Sequence, residues 1–151
     1  MPSITAFHGP HFFLSNFSES RIVFEGDSYP TVEHAFQAAK TFDPAQRAAV
    51  REAATPAAAK RLGRGVTLRP DWEQVKLGLM HELLRQKFSR PDLRQALLDT
   101  GEAELVEGNT WGDRQWGCVL VKGKWIGSNH LGRLLMQVRA ELRQALGAAR
   151  P

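Results

Sequence analysis

Two dipeptides limit what this chain can fold into more than anything else in it: Asp43-Pro44 and Thr55-Pro56. Each sets an N-capping side chain directly before a proline, whose fixed φ and missing N–H suit the first turn of a helix. Helices therefore open at 44 and at 56, and the second is expected to stop at Gly63 acting as a C′ residue. Thr31 is an N-cap for an earlier helix with Glu33 in its first turn, running to about residue 42. Pro70-Asp71-Trp72 opens what reads as the longest helix, with Trp72, Val75, Leu79, Leu83 and Phe88 on its apolar side. Pro91 begins a short helix that carries Leu93, Ala96 and Leu97 and ends at Thr100-Gly101. Ser128-Asn129 caps a last helix in which Leu131, Leu134, Leu135, Val138 and Leu142 keep helical spacing.

Between these helices lie short extended runs. Residues 1–30 read as loop and strand, with Arg21-Ile22-Val23-Phe24 extended, Glu25-Gly26-Asp27 as a turn, and Ser28-Tyr29-Pro30 leading into the helix. Glu104-Leu105-Val106-Glu107 reads as a strand, and Val119-Leu120-Val121 and Trp125-Ile126 as a hairpin around Lys122-Gly123-Lys124. The expected fold is α+β: a helix-rich single domain over residues 1–146 with a small antiparallel or mixed sheet, followed by a frayed tail at 147–151.

Composition narrows the function classes. The 151 residues suit one domain, and 42% hydrophobic with 24% charged content is globular. No run approaches the roughly 18 apolar residues of a membrane span, and the first residues carry no secretory signal. Cys118 alone cannot form an internal disulfide. His8, His11, His34, His81 and His130 lack metal-ligand spacing, so neither a metal nor a cofactor is expected. A cytoplasmic protein is the expectation. The formal charge of +4, with arginine dominating, suits a phosphate-bearing ligand or nucleic acid, and equally a GC-rich coding background.

Four segments carry candidate chemistry, each with a plain structural alternative. In Tyr29-Pro30-Thr31-Val32-Glu33-His34-Ala35-Phe36-Gln37-Ala38-Ala39-Lys40, a helix projects Glu33, Gln37 and Lys40 from one face. A solvated polar stripe fits the same spacing. Trp111-Gly112-Asp113 and Trp116-Gly117 place two tryptophans and a carboxylate in one loop; a tight turn closed by an Asx-type bond is the alternative. Gly63-Arg64-Gly65 with Arg69 suits a phosphate, or simply a helix end. Gly127-Ser128-Asn129-His130 is an anion site by geometry, or ordinary capping.

Taken in order, these segments resemble the NADAR (YbiA-like) family. The likeness runs through Phe13-Leu14-Ser15-Asn16-Phe17, the Tyr29 to Lys40 motif, Gly63-Arg64, Arg69-Pro70-Asp71-Trp72-Glu73-Gln74-Val75-Lys76 and Met80. It continues through Leu105-Val106-Glu107, Trp111-Gly112-Asp113 and Asn129-His130-Leu131-Gly132-Arg133-Leu134-Leu135-Met136. After Asp113 the chain departs from the glycine-rich run common in that family. The resemblance implies a small α+β hydrolase of N-glycosidic bonds. Its substrate is either ADP-ribose on guanine, in a nucleoside or in DNA or RNA, or a phosphorylated ribosylamino-pyrimidine of the riboflavin pathway. The first is preferred on the arginine-rich composition. It also implies Glu33, Asp113 and Lys40 as catalytic groups, with Lys40 either pairing with an anion or forming a Schiff base with the opened sugar. Asn16, Arg64, Arg69, Trp72, Trp111, Gly112 and Asn129 are then the substrate contacts. Two rival classes are a non-catalytic ADP-ribose or nucleotide reader and a small nucleic-acid-binding module. No oligomeric state follows.

Overall fold

In the computed structural model, which describes residues 2–149, Thr31, Asp43 and Thr55 each cap the helix whose start they mark. The Thr31 hydroxyl accepts from the His34 N–H at the start of α1 (Val32–Ala39). Asp43 accepts from the Ala45 and Gln46 N–H groups ahead of α2 (Pro44–Arg51). Thr55 accepts from the Ala58 N–H ahead of α3 (Pro56–Gly63). Each bond satisfies a backbone donor that the first helical turn leaves unpaired. Helix α1 stops at Ala39 and not near residue 42. The Thr41 hydroxyl takes the Asp43 N–H, and the residue before Pro44 is held extended, at ψ 117°.

The described residues group into two compact units. In the unit spanning Asn16–Lys87, α1 packs against α2, α3 and α4 (Trp72–Lys87). Strands β2 (Ile22–Phe24) and β3 (Asp27–Tyr29) form an antiparallel hairpin whose turn, Glu25-Gly26, has positive φ at both residues, as the type I′ class of two-residue hairpin turn requires. The expectation had placed Ser28 and Tyr29 in a lead-in to the helix; three residues are too few for alternation to show. The Gln86 side chain serves β2 as a partner strand would, accepting from the Val23 N–H at 2.6 Å and donating to the Val23 carbonyl at 2.8 Å. On α4 the buried positions are Trp72, Met80, Leu83, Leu84 and Lys87, while the expected Val75 and Leu79 are half-buried.

The other unit holds residues up to Ser15 together with those from Phe88 onward. It contains a 3₁₀ segment (Gly9–Leu14), where a loop or strand was expected, and α5 (Pro91–Asp99). Strand β1 (Ser3–Ile4) pairs in parallel with β4 (Glu104–Leu105). Strands β5 (Gly108–Asn109), β6 (Cys118–Val121) and β7 (Lys124–Ile126) form a mixed sheet, parallel between β5 and β6 and antiparallel between β6 and β7. The hairpin turn is Lys122-Gly123, again with positive φ at both residues. The last helix, α6 (His130–Ala149), is longer than α4, correcting the expectation from Pro70-Asp71-Trp72. Leu131, Leu135 and Val138 form its buried side. Residues 147–149 of the expected tail are helical, and 150–151 lie outside the described residues. Buried Arg139 binds this helix to the end of α5, donating to the Thr100 hydroxyl and the Ala103 carbonyl at 2.8 Å each.

Candidate functional site

Helix α1 is buried on all sides, Glu33 at 7% and Gln37 at 5% exposure. That burial removes the solvated-stripe reading, because a polar face made for water would be open to it. A charge kept in an apolar helical core costs stability unless its surroundings answer it. Here several groups do. Gln37 Nε2 donates to Glu33 Oε1 at 3.1 Å. The Glu33 N–H donates to the Asn16 carbonyl at 3.1 Å, which ties the first turn of α1 to the Phe13-Leu14-Ser15-Asn16-Phe17 motif. The Lys40 ammonium is close enough for the Glu33 charge to act on it.

Lys40 follows the last turn of α1 and is half-buried. Burial holds its amine below the ordinary lysine value; Glu33 opposes that fall, and the nearby charges of Lys60 and Arg64 add to it. Lys60 lies in the last turn of α3 and Arg64 caps its end, so three cations gather where α1 and α3 finish. Sequence spacing pointed to Lys40 and Arg64. It missed Lys60, whose part depends on the packing of α3 on α1, and it named Gln37 on the face without giving it a role.

Arg64 itself is exposed. Gly63, by contrast, does not act as the left-handed C′ residue expected of it; it is the last residue of α3 and its φ is not positive. Arg69 is engaged differently from Arg64. Its guanidinium grips the Asp71 carboxylate through two bonds, 2.6 and 3.0 Å, and lies over the Phe42 ring at 4.2 Å. Its N–H donates to the Lys40 carbonyl at 2.7 Å, so it fixes the backbone just after α1. Trp72, 6% exposed, packs against Phe36 with ring centroids 5.0 Å apart, which leaves little of the indole to a ligand. The Asn16 side chain donates to Met80 Sδ at 3.7 Å, and its buried Oδ1 has no hydrogen-bond partner. His34 is structural: Nε2–H donates to the Ala53 carbonyl at 3.0 Å, which leaves Nδ1 to accept from the Thr31 hydroxyl at 2.8 Å.

The remaining candidates belong to the other unit. Asp113 Oδ1 accepts from the Gln115 and Trp116 N–H groups, both at 3.0 Å, in the Asx-type closure that was the plainer alternative for this loop. The Asn109 side chain braces the same loop from below, accepting from the Asp113 N–H and donating to the Asp113 carbonyl. Gly112 has a φ of 88°, a conformation that favours glycine, and Trp111 beside it is 65% exposed. Asn129, with φ 54°, accepts from the Glu107 N–H at 3.1 Å and donates to the Leu105 carbonyl at 2.9 Å, so its carboxamide joins the start of α6 to β4. A Cβ on Gly132 would clash with that same Leu105 carbonyl, which accounts for the glycine in the first turn of the helix. Burial pushes the Cys118 thiol up, away from the thiolate a nucleophile needs. Among the described residues no cluster of metal-ligating side chains occurs, and no helix is long and apolar enough to cross a membrane.

Comparison with known proteins gives one consistent result. The NADAR domain matches residues 5–143. The N-glycosidase Npun_R5314 of Nostoc punctiforme is 43% identical over 143 residues, covering 91% of this chain and 89% of that protein. The N-glycosidase YbiA of Escherichia coli (strain K12) is 42% identical over 132 residues, covering 85% of this chain and 80% of its own length. The NMR structure of E. coli YbiA superposes with a TM-score of 0.83, covering 100% of this chain and 92% of that one at 37% identity. A longer protein, the riboflavin biosynthesis protein VVA0006 of Vibrio vulnificus, is 37% identical over 89% of this chain and 36% of its own length.

Proposed function

The chain belongs to the NADAR family, and we propose that it is an N-glycosidase that hydrolyses a ribose C1–N bond in a phosphorylated substrate. One observation carries the reading: the buried Glu33 carboxylate, held by an amide donor, lies within reach of the Lys40 charge, with Lys60 and Arg64 near Lys40. Cleavage of a C1–N bond builds positive charge on C1 and the ring oxygen, so a fixed carboxylate in a poorly solvated site stabilises the transition state. Glu33 takes that role or activates the attacking water. The cations suit the phosphate carried by the same sugar. Asp113, which has one oxygen closing its loop, stays in the proposal as the second carboxylate of the reaction through the family motif. Trp111 stays as the ring that meets the base.

Lys40 supplies a second route. Its lowered pKa raises the fraction of neutral amine, and a neutral Nζ can add to C1 of the ring-opened sugar. The C1–N bond to the base then breaks, the base leaves as its amine after gaining a proton, and water later hydrolyses the Lys40 Schiff base to release the sugar. Borohydride added during turnover should reduce that imine and leave a stable sugar adduct on Lys40. A protein that turns over under borohydride with no adduct uses Lys40 for anion pairing alone.

For the substrate, we take ADP-ribosylated guanine first. The exposed Arg64 suits a ligand that extends past its first phosphate, as ADP-ribose does, and the +4 chain suits a nucleic-acid target. The phosphorylated ribosylamino-pyrimidines form a second reading, favoured by the riboflavin name of the Vibrio relative. Product chromatography after incubation with each substrate separates the two. Released guanine nucleoside supports the first and released pyrimidine the second; bound ligand with no released base would make the protein a reader and refute the enzyme.

A further inference from the structure

Gln37 occupies a costly place. It is 5% exposed and lies one turn after Glu33 on α1. Its Nε2–H donates to Glu33 Oε1 at 3.1 Å, while its own Oε1 is buried with no hydrogen-bond partner. A buried carbonyl oxygen without a donor loses its hydration for nothing in return. An apolar side chain of the same length would fill the space without that loss. The amide therefore stands out as a group retained for its donor end.

The wall behind the amide says the same. A Cβ added at Gly63 would lie 1.9 Å from Gln37 Oε1, 2.7 Å from its Cδ and 3.0 Å from its Cβ. Gly63 does not have positive φ, so nothing in its backbone calls for glycine. Glycine in the last turn of a helix with ordinary helical geometry weakens that helix. What it provides is room, and Gln37 fills that room.

We propose that Gln37 is a positioning residue for Glu33, and that position 63 is glycine in order to admit the Gln37 carboxamide. This rests on the reading of Glu33 as the carboxylate of the reaction. A neutral amide fits the task better than a second cation. It fixes the direction of the carboxylate and favours its ionised form without cancelling the negative charge that the developing oxocarbenium needs. The glycine sets the distance, because α3 can approach α1 only as closely as the buried amide allows.

The test uses the full chain with five variants, Gln37→Met, Gln37→Glu, Gln37→Ala, Gly63→Ala and Gln37→Ala/Gly63→Ala, beside Glu33→Gln, with folding checked by circular dichroism. Gln37→Met keeps length and removes the donor. It should lower kcat roughly tenfold to a hundredfold, the scale of a misplaced catalytic group, with KM nearly unchanged, and move the acid limb of the pH–rate profile upward. Gln37→Glu should move that limb further, because two adjacent carboxyl groups share a proton. Gly63→Ala should lower kcat in the wild-type background and far less in the Gln37→Ala background, where the clashing atoms beyond Cβ are gone. Wild-type kcat and pH profile in Gln37→Met would overturn the inference, and so would a Gly63→Ala loss that is the same with and without Gln37. Wild-type turnover in Glu33→Gln would instead remove the active-site reading itself, which separates the two failures.

Discussion

Lys87 ends α4 with no exposed surface at all, and replacing it with Met tests how much of its charge the interior of its unit tolerates. Its ammonium donates to Ser18 Oγ at 2.8 Å, and burial lowers its pKa from 10.5 to about 7. In the unfolded chain the amine titrates near its ordinary value, so between about pH 7 and 10.5 the unfolded state binds one more proton than the folded state. Stability from this group is therefore fully present above the unfolded pKa and is lost as pH falls toward 7. The slope is about 1.4 kcal/mol per pH unit across that window. Methionine neither titrates nor forms the Ser18 bond, which is worth about 1 kcal/mol. Urea unfolding of both proteins at a series of pH values should show the Met variant ahead by a few kcal/mol at about pH 7. From there the wild type should recover about 2–3 kcal/mol by about pH 9. Below pH 7 the difference should be flat. A difference that stays constant from about pH 6 to pH 10 would refute the argument, because it would mean that Lys87 remains charged in the folded protein throughout.

Two further perturbations separate scaffold from site. Trp72→Ala, which opens the contact with Phe36 under α1, should cost about 3–5 kcal/mol in urea unfolding. Trp111→Ala, at a ring 65% exposed, should leave stability within about 0.5 kcal/mol and raise KM. Equal losses from the two would mean that Trp111 is a packing residue. Asn129→Ala removes two bonds to the β4 region and leaves an alanine at φ 54°, so it should cost about 2–4 kcal/mol in the same assay. Asn129→Gly should cost less, because it relieves the backbone; equal costs would place the whole effect in the lost bonds.

The residues that could be read from the sequence are those whose job is local. Thr31, Asp43 and Thr55 cap helices because a hydroxyl or carboxylate reaches the N–H two or three residues on, and nothing distant is needed. The Lys122-Gly123 turn was legible for the same reason. What distance alone decides stayed hidden. Strand β3 holds three residues, too few to show alternation, and β1 exists only because β4 runs parallel to it from a hundred residues away. Gly63 looked like a helix terminator because glycine often is one; its reason is the Gln37 side chain, which lies on another helix. Glu33 and Lys40 were visible as a spacing, but the same spacing also fits a solvated face. Burial of Glu33 excludes the solvated face, and burial is a property of α2, α3 and α4 packed around α1.

The central claim, that Glu33 is a working carboxylate of a C1–N hydrolase, is tested most directly by comparing release of free base by the wild type and by Glu33→Gln. The two should be matched for folding by circular dichroism and run against both substrate classes. Gln preserves the shape and the contact with Gln37 while removing the charge. Base release by the wild type, with loss of 10²-fold or more in the variant, is the predicted result. Equal release by the two proteins would contradict it.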